Sequence, residues 1–465
     1  MEHRVEKDSL GEVRVPVDAY YGASTQRAVE NFPVSGVPMP AIFLKNLALI
    51  KQVAARVNRD LGLLDEAVAT AIDTVCQEIQ DGKLADQFPV DVFQTGSGTS
   101  TNMNMNEVIA SRANELLTGK KGGREPVHPN DHVNLGQSSN DVIPTALHVS
   151  TVVAVRDRLV PGLEELAMAL WEKALAFENI GKIGRTHLQD AVPIKLGDEF
   201  AGYTYQVQKG VARATNVTHE LAELPLGGTA VGNGLNTHSE FAEKVIARLA
   251  EHTGFPFRKA QNHFEAQGAR DAAVAASGLL KTVAVSLTKI ANDIRWLGSG
   301  PRSGLGEIRL PAVQPGSSIM PGKVNPVIPE AVIQAAAQVI GNDTVITLAG
   351  KGGHFELNAM QPVMVHNLHQ SIQLLTNAAD IFTQRCIRGI GADQEKCLGT
   401  IENSLALATY LVPDLGYDKS AEIAHRAYTE GKTVEAVVRE EGALPTERID
   451  TIFSQFQKEE QRRSV

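Results

Sequence analysis

Residues 316–326 read GSSIMPGKVNP, and their types suit contact with an anionic ligand. Two adjacent hydroxyls (Ser317, Ser318), a cation (Lys323) and an amide (Asn325) stand on a strip broken by Gly316, Pro321, Gly322 and Pro326. No helix or strand interior tolerates that many breakers, so the strip is a loop. An ordinary surface turn would not carry Ile319 and Met320 in its middle, because exposed apolar side chains gain nothing from water. A lid that docks on closing would use them. Two further polar clusters run into expected helices. Residues 95–102 (TGSGTSTN) hold Ser97, Gly98 and Thr99 ahead of a helix near Glu107; residues 137–141 (QSSND) hold Ser138, Ser139 and Asn140 ahead of one with Pro144 in its first turn. The 316–326 loop itself feeds a helix opening at Pro329 and Glu330. Each cluster sets hydroxyls beside unpaired N–H groups at a helix N-terminus, where roughly half a positive charge attracts anions. Capping explains any one of them; three together point to a bound anion.

The fourth cluster, residues 184–190 (GRTHLQD), lies between two long helical segments and brings His187, the one side-chain type whose unperturbed charge changes near neutral pH. A lone histidine is more often structural. Here Thr186 stands beside it, and Glu330 is available elsewhere to orient the ring. Residues 128–131 (HPND) read as a surface turn with a polar tip. His366 and His369, three apart on a helix with no carboxylate close in sequence, read as packing rather than a metal site. A phosphate loop is excluded: five residues separate Gly316 from Gly322–Lys323 where four are needed, and Val324 stands where Ser or Thr would bind magnesium. No Gly-x-Gly-x-x-Gly follows an expected strand.

What must position these groups is mostly helix. The chain has 465 residues, 43% hydrophobic and 5% aromatic, enough to bury a large core in about two to four domains. A formal net charge of -10 disfavours nucleic acid, so any anionic substrate must be drawn by local groups. Cys76, Cys386 and Cys397 are far apart with no Cys-x-x-Cys pair, which disfavours a disulfide framework and a metal cluster and fits the reduced cytoplasm. The start, MEHRVEKDSLGEV, resembles neither a signal nor a transit peptide.

Residues 1–137 read as a mixed, mostly helical domain of short helices and loops, with helical patches at 42–57 and 107–117. Residues 138–394 read as long, charge-poor helices, and 395–465 as a small helical C-terminal domain. The clearest helix spans 272–297, where Ala276, Leu280, Val283, Leu287, Ile290, Ile294 and Leu297 recur at spacings of four and three. Residues 362–379 carry no Asp, Glu, Lys or Arg. Polar residues interrupt both stretches, so a multi-subunit helical core is preferred to membrane spans. Thr237 and Glu240 ahead of Phe241 read as a capping box.

The 316–326 segment is similar to the signature loop of the fumarase and aspartase superfamily. GSGTSTNMNMNE, HPNDHVN, QSSND, GRTHLQDAVP and the opening RVEKDSLGEVRVPVDAYYGASTQRAVENFP resemble their counterparts in its class II, metal-free fumarate hydratases. PVIPEAVIQ and VIGNDT resemble aspartases as well. His187, where aspartases usually carry Gln, and Gly322, where they usually carry Ala, favour the hydratases, with aspartate ammonia-lyase as the alternative.

The resemblance implies a mainly α, three-domain fold with a long central helical bundle. It further implies a homotetramer forming a multi-helix core, with each active site shared between three subunits. By the same resemblance Ser317 takes the carbon-bound proton of malate and His187, held by Glu330, protonates the departing hydroxyl through a water. Ser97, Gly98, Thr99, Ser138, Ser139, Asn140, Thr186, Ser318, Lys323, Val324 and Asn325 hold the dicarboxylate, fumarate or malate. His128, Pro129, Asn130 and Asp131 form a second anion site. No metal, cofactor, nucleic acid or membrane is implied.

Overall fold

The computed structural model describes residues 2–454. Among them are 17 α-helices, and β-structure amounts to five two-stranded sheets and an isolated bridge between Pro38 and Asp91. The 27-residue helix Asp271–Leu297 has the seam read from its spacing: Ala276, Leu280, Val283, Leu287, Ile290, Ile294 and Leu297 are all buried. Among the described residues it alone is long and apolar enough to cross a membrane, and half of its most apolar window is packed inside the chain.

Polar pins fix its partners. Asp343 on helix Val327–Gly350 accepts from Ser277 at 2.8 Å and from Lys281 at 2.6 Å. Its neighbour Asn342 donates to the Asn367 carbonyl and to Gln370 and Ser371 on helix Gln361–Arg385. His369, on that same helix, meets the Ser150 hydroxyl at 2.8 Å, and burial pushes its imidazole down to about 4. That is the packing role expected of it.

Contacts divide the described residues into two compact units. The first takes the chain as far as Pro161, then Val211–Ala284 and Ala335–Thr376; the second takes Gly162–Gly210, Val285–Gln334 and the chain from Asn377 on. In the first unit, helices Ala41–Asp60, Glu66–Gln80, Thr99–Thr118 and Ser139–Ala154 pack through Leu47, Ile50, Ile72, Met105, Ile109 and Leu147. In the second unit, residues from Ile401 to Phe453 close a separate core around Leu411, Ile423, Val437 and Ile452.

Three local expectations need correction. Helix Phe241–Thr253 is not opened by a capping box: Glu240 is its N-cap residue without a side-chain cap, and the Glu240 N–H donates to His238 Nδ1 instead. The Thr237 hydroxyl is buried and unpartnered. Pro144 lies in the second turn of helix Ser139–Ala154, not the first, because the helix already starts at Ser139. Finally, helices Ala41–Asp60 and Thr99–Thr118 each run 20 residues in a region read as short helices. In the latter the Ser/Thr/Asn-rich start hides the helix, since such residues favour caps and turns by propensity. Here Gln94 receives both the N–H and the hydroxyl of Thr101, at 2.9 and 2.8 Å, and holds the first turn together.

Candidate active site

The first unit gathers the hydroxyls. Gly98 adopts a left-handed conformation (φ 75°) and is the N-cap residue of helix Thr99–Thr118, while Ser138 is that of helix Ser139–Ala154. The two helix starts meet through a chain of hydroxyls: Ser97 Oγ lies 2.8 Å from Thr99 Oγ1, which lies 2.7 Å from Ser139 Oγ. Two sequence clusters forty residues apart are therefore one surface of hydroxyls at two helix N-termini, a setting that suits a carboxylate.

Close backbone packing sets this geometry. A Cβ at Gly96 would stand 1.8 Å from the Ala359 carbonyl oxygen, and the Gly96 carbonyl accepts from the Gln361 N–H at 2.9 Å. Beneath the second helix start, Asp141 is fully buried. It accepts from the Ser138 N–H at 2.9 Å and from the Gly227 and Thr229 N–H groups at 3.0 Å each. Burial nevertheless raises its carboxyl above the ordinary value, opposed by those hydrogen bonds and by the charge of Lys51. Asn140 donates one amide hydrogen to the Ala230 carbonyl at 2.8 Å, leaving the other for a ligand carboxylate.

The second unit holds the 316–326 loop and the His187 hairpin. In the 316–326 loop, Ser317 Oγ accepts from the Ile319 N–H at 3.2 Å and the Met320 N–H at 2.9 Å. Two donors on one hydroxyl oxygen stabilise negative charge there, which is what a serine acting as a base requires. The loop is closed by the Gly316 N–H on the Lys323 carbonyl at 2.8 Å and by the Asn325 amide on the Gly316 carbonyl at 2.6 Å. Part of Asn325 is thus committed to holding the loop shut. Ser318, Lys323 and Val324 are exposed, as are Ile319 (83%) and Met320 (49%). Glu330 sits in the first turn of helix Val327–Gly350.

Thr186 and His187 end a hairpin of strands Gly181–Thr186 and Gln189–Lys195. His187 and Leu188 form its two-residue turn, with φ of 57° and 61°. Positive φ at both central positions is the geometry that matches strand twist in a tight hairpin, though bulky residues rarely adopt it. The tip is exposed, Leu188 included. Among the described residues of one chain, no hydrogen bond or ion pair joins His187 to Glu330 or to Ser317.

The 128–131 turn is a π-helical turn, Pro129–Val133. His128 Nδ1 accepts from the Asn130 and Asp131 N–H groups at 3.2 and 3.1 Å, so those donors already have a partner. Pro129 and Asn130 line a cavity of about 180 Å³ with Arg4, Lys7 and Arg124, whose charges Glu6, Asp8 and Glu107 offset.

Sequence reasoning missed two groups near these clusters. Lys51 is fully buried and donates to Asn134 Oδ1 at 2.9 Å, an oxygen that also receives the amides of Asn102 and Asn106. Glu307, also buried, anchors the His187 hairpin. Neither has a local signal; a lone Lys in an apolar helix run and a lone Glu after glycine mark nothing.

The family described as "Lyase" matches residues 11–341, and "Fumarase C C-terminus" matches residues 407–456. The class II fumarate hydratase of Nitrosomonas europaea is 53% identical over 449 residues, 97% of each chain. That of Halobacterium salinarum is 56% identical over 95% of this chain and 94% of its own. The human mitochondrial fumarate hydratase is 51% identical over 96% of this chain and 88% of its own. Among solved structures, recombinant class II fumarase from Schistosoma mansoni superposes with a TM-score of 0.96 at 40% identity, covering 98% of this chain and 99% of that one. A fumarate lyase:delta crystallin from Brucella melitensis, bound to cobalt, gives 0.94 at 46%, covering 98% and 99%. With whole-length relatives at this identity and the same fold, the chain belongs to the class II fumarate hydratase family of the fumarase and aspartase superfamily.

Proposed function

We propose that the chain catalyses the reversible hydration of fumarate to (S)-malate. Making fumarate from malate requires removing a proton from the carbon beside a carboxylate and expelling hydroxide from the next carbon. A base is needed on one face, an acid on the other, and N–H dipoles or cations for the charge that accumulates. Ser317 Oγ takes the carbon-bound proton; His187, oriented by Glu330, delivers a proton through a water to the leaving hydroxyl; hydration runs the same steps backwards. Ser97, Gly98, Thr99, Ser138, Ser139, Asn140, Thr186, Ser318, Lys323, Val324 and Asn325 hold the two carboxylates. The observation that carries this reading is the pair of loop N–H groups donating to Ser317 Oγ, since it supports the oxyanion that a serine base must become.

The exposed tip at Thr186, His187 and Leu188 supports a homotetramer in which three copies share each site, with the hairpin of one copy covered by others. Apolar side chains left in water on the helices support it too: Met168, Trp171 and Leu175 on one, Ile340, Val345 and Leu348 on another. The separate core of residues from Ile401 to Phe453 supports a small C-terminal domain after a central bundle domain at 138–394 and an N-terminal domain at 1–137. His128, Pro129, Asn130 and Asp131 form a second anion site, for which the adjoining cavity is the support. Three free, buried cysteines fit the cytoplasm, and relatives named mitochondrial leave a second reducing compartment for the same chemistry.

The test follows fumarate absorbance from L-malate and from L-aspartate side by side, with a chelator present. Fumarate from malate alone, unaffected by the chelator, is the expected result. Fumarate from aspartate alone would make the chain an ammonia-lyase.

A further inference from the structure

The His187 hairpin is clamped by buried charge that the proton transfers above do not use. Lys182 and Arg185 both lie on strand Gly181–Thr186, and residues three apart on a regular strand face opposite sides. Here the pairing register shifts between Ile183 and Arg185: Gly184 alone stands opposite Ala191 and Val192, so the extra residue lies on strand Gln189–Lys195, and at this irregularity both cations reach one carboxylate. Arg185 donates to Glu307 in the bidentate manner, Nη2 to Oε1 at 2.6 Å and Nη1 to Oε2 at 3.1 Å, and Lys182 Nζ lies 2.9 Å from Oε2. Lys182 also reaches Glu199 Oε1 at 2.7 Å. The Lys182 and Glu307 side chains are wholly buried, so this four-charge cluster is neutral overall but shielded from water.

Glu307 is itself fixed from both sides: its N–H donates to the Leu297 carbonyl at 2.9 Å and its carbonyl accepts from the Asp393 N–H at 2.9 Å. A rigid carboxylate thus grips the strand one residue before Thr186 and two before His187. His187 sits in the left-handed region, where a side chain stays only if its surroundings hold it.

We propose that Glu307 is a positioning residue of the reaction: by clamping Arg185 and Lys182 together across the register shift at Gly184, it fixes the direction in which the hairpin presents His187. This rests on the role assigned to His187 in the proposed function. The clamp needs glycine opposite the bulge as well, because a Cβ at Gly184 would stand 2.8 Å from the Val192 carbonyl oxygen and push the strands apart.

The experiment measures kcat and KM on whichever dicarboxylate the unaltered enzyme turns over, so loss of the functional reading shows in the unaltered enzyme and is distinct from loss of this one. Glu307→Gln lowers kcat at least about tenfold with KM changed less than about threefold. In the pair Glu307→Gln with His187→Asn, the double variant is no slower than His187→Asn alone, because the first change acts only through the second. Should Glu307→Gln not fold, Gly184→Ala keeps every charge and is expected to give the same split of kcat from KM. Normal kcat in either folded variant, or losses that multiply in the double variant, would overturn the proposal.

Discussion

Ser317 is an ordinary hydroxyl to which the proposed function gives an unusual task, and the two loop N–H groups on its oxygen make that task physically reasonable. Ser317→Ala is expected to abolish turnover while leaving the folded, assembled protein unchanged in size by sedimentation. His187→Asn should slow turnover by about 10²–10⁴-fold, the usual worth of a general acid, with the melting temperature preserved. Normal rates in either variant would remove that residue from its role. Lys51 gives a prediction in pH. Burial lowers its ammonium from 10.5 to about 7, against the opposing attraction of Asp141. Between those values the unfolded chain holds the extra proton, so stability rises with pH by about 1.4 kcal/mol per unit; the penalty is complete below pH 7 and gone above the unfolded value. In urea unfolding, the difference between Lys51→Met and the unaltered protein should change along that slope from pH 7.5 to 9.5. A constant difference would mean Lys51 keeps its ordinary proton. Ser317, His187 and Lys323 were legible in the sequence because they sit among turn residues that advertise a loop. Lys51 and Glu307 were not, because burial and pairing depend on segments distant along the chain.

At the scale of elements, spacing spoke most clearly where one face of a helix is buried, and all seven seam residues of helix Asp271–Leu297 lie inside. It failed at element starts. The run TSTNMNMNE reads as a polar loop, yet it is helix from Thr99, because Gln94, Gly98 and burial of Asn102, Asn104 and Asn106 override weak propensity. The capping box at Thr237 and Glu240 was a pattern without its geometry: local matches of that kind compete with neighbours such as His238. The hydroxyl surface at the two helix starts depends on backbone contact at Gly96, and no sequence signal shows that Ala359 is its neighbour. Gly96→Ala, which must displace that carbonyl, should destabilise the fold by about 1–3 kcal/mol and raise KM, read by chemical unfolding and by substrate titration. A variant with unaltered stability and KM would show that the contact does not set the site.

Over the whole molecule, the hydroxyl surface lies in one compact unit, and the serine loop and imidazole hairpin lie in the other. Among the described residues no hydrogen bond or ion pair joins His187 to Glu330 or Ser317, and the hairpin tip and several apolar helix faces stand in water. Charge-poor helices made the proposed association legible in the sequence, since a helix apolar on most of its circumference must be covered. Which copy supplies which residue was not, because no residue pattern encodes the arrangement of subunits. Association is also where the central proposal is most exposed, namely that Ser317 and His187 act on one dicarboxylate but come from different copies of the chain. Chains carrying Ser317→Ala and chains carrying His187→Asn, each inactive alone, can be unfolded together and refolded as mixed assemblies, and fumarate hydration measured. Recovery of activity in the mixture is the expected result, since some sites then draw both intact residues from different copies; a mixture as inactive as its two components would contradict the shared site.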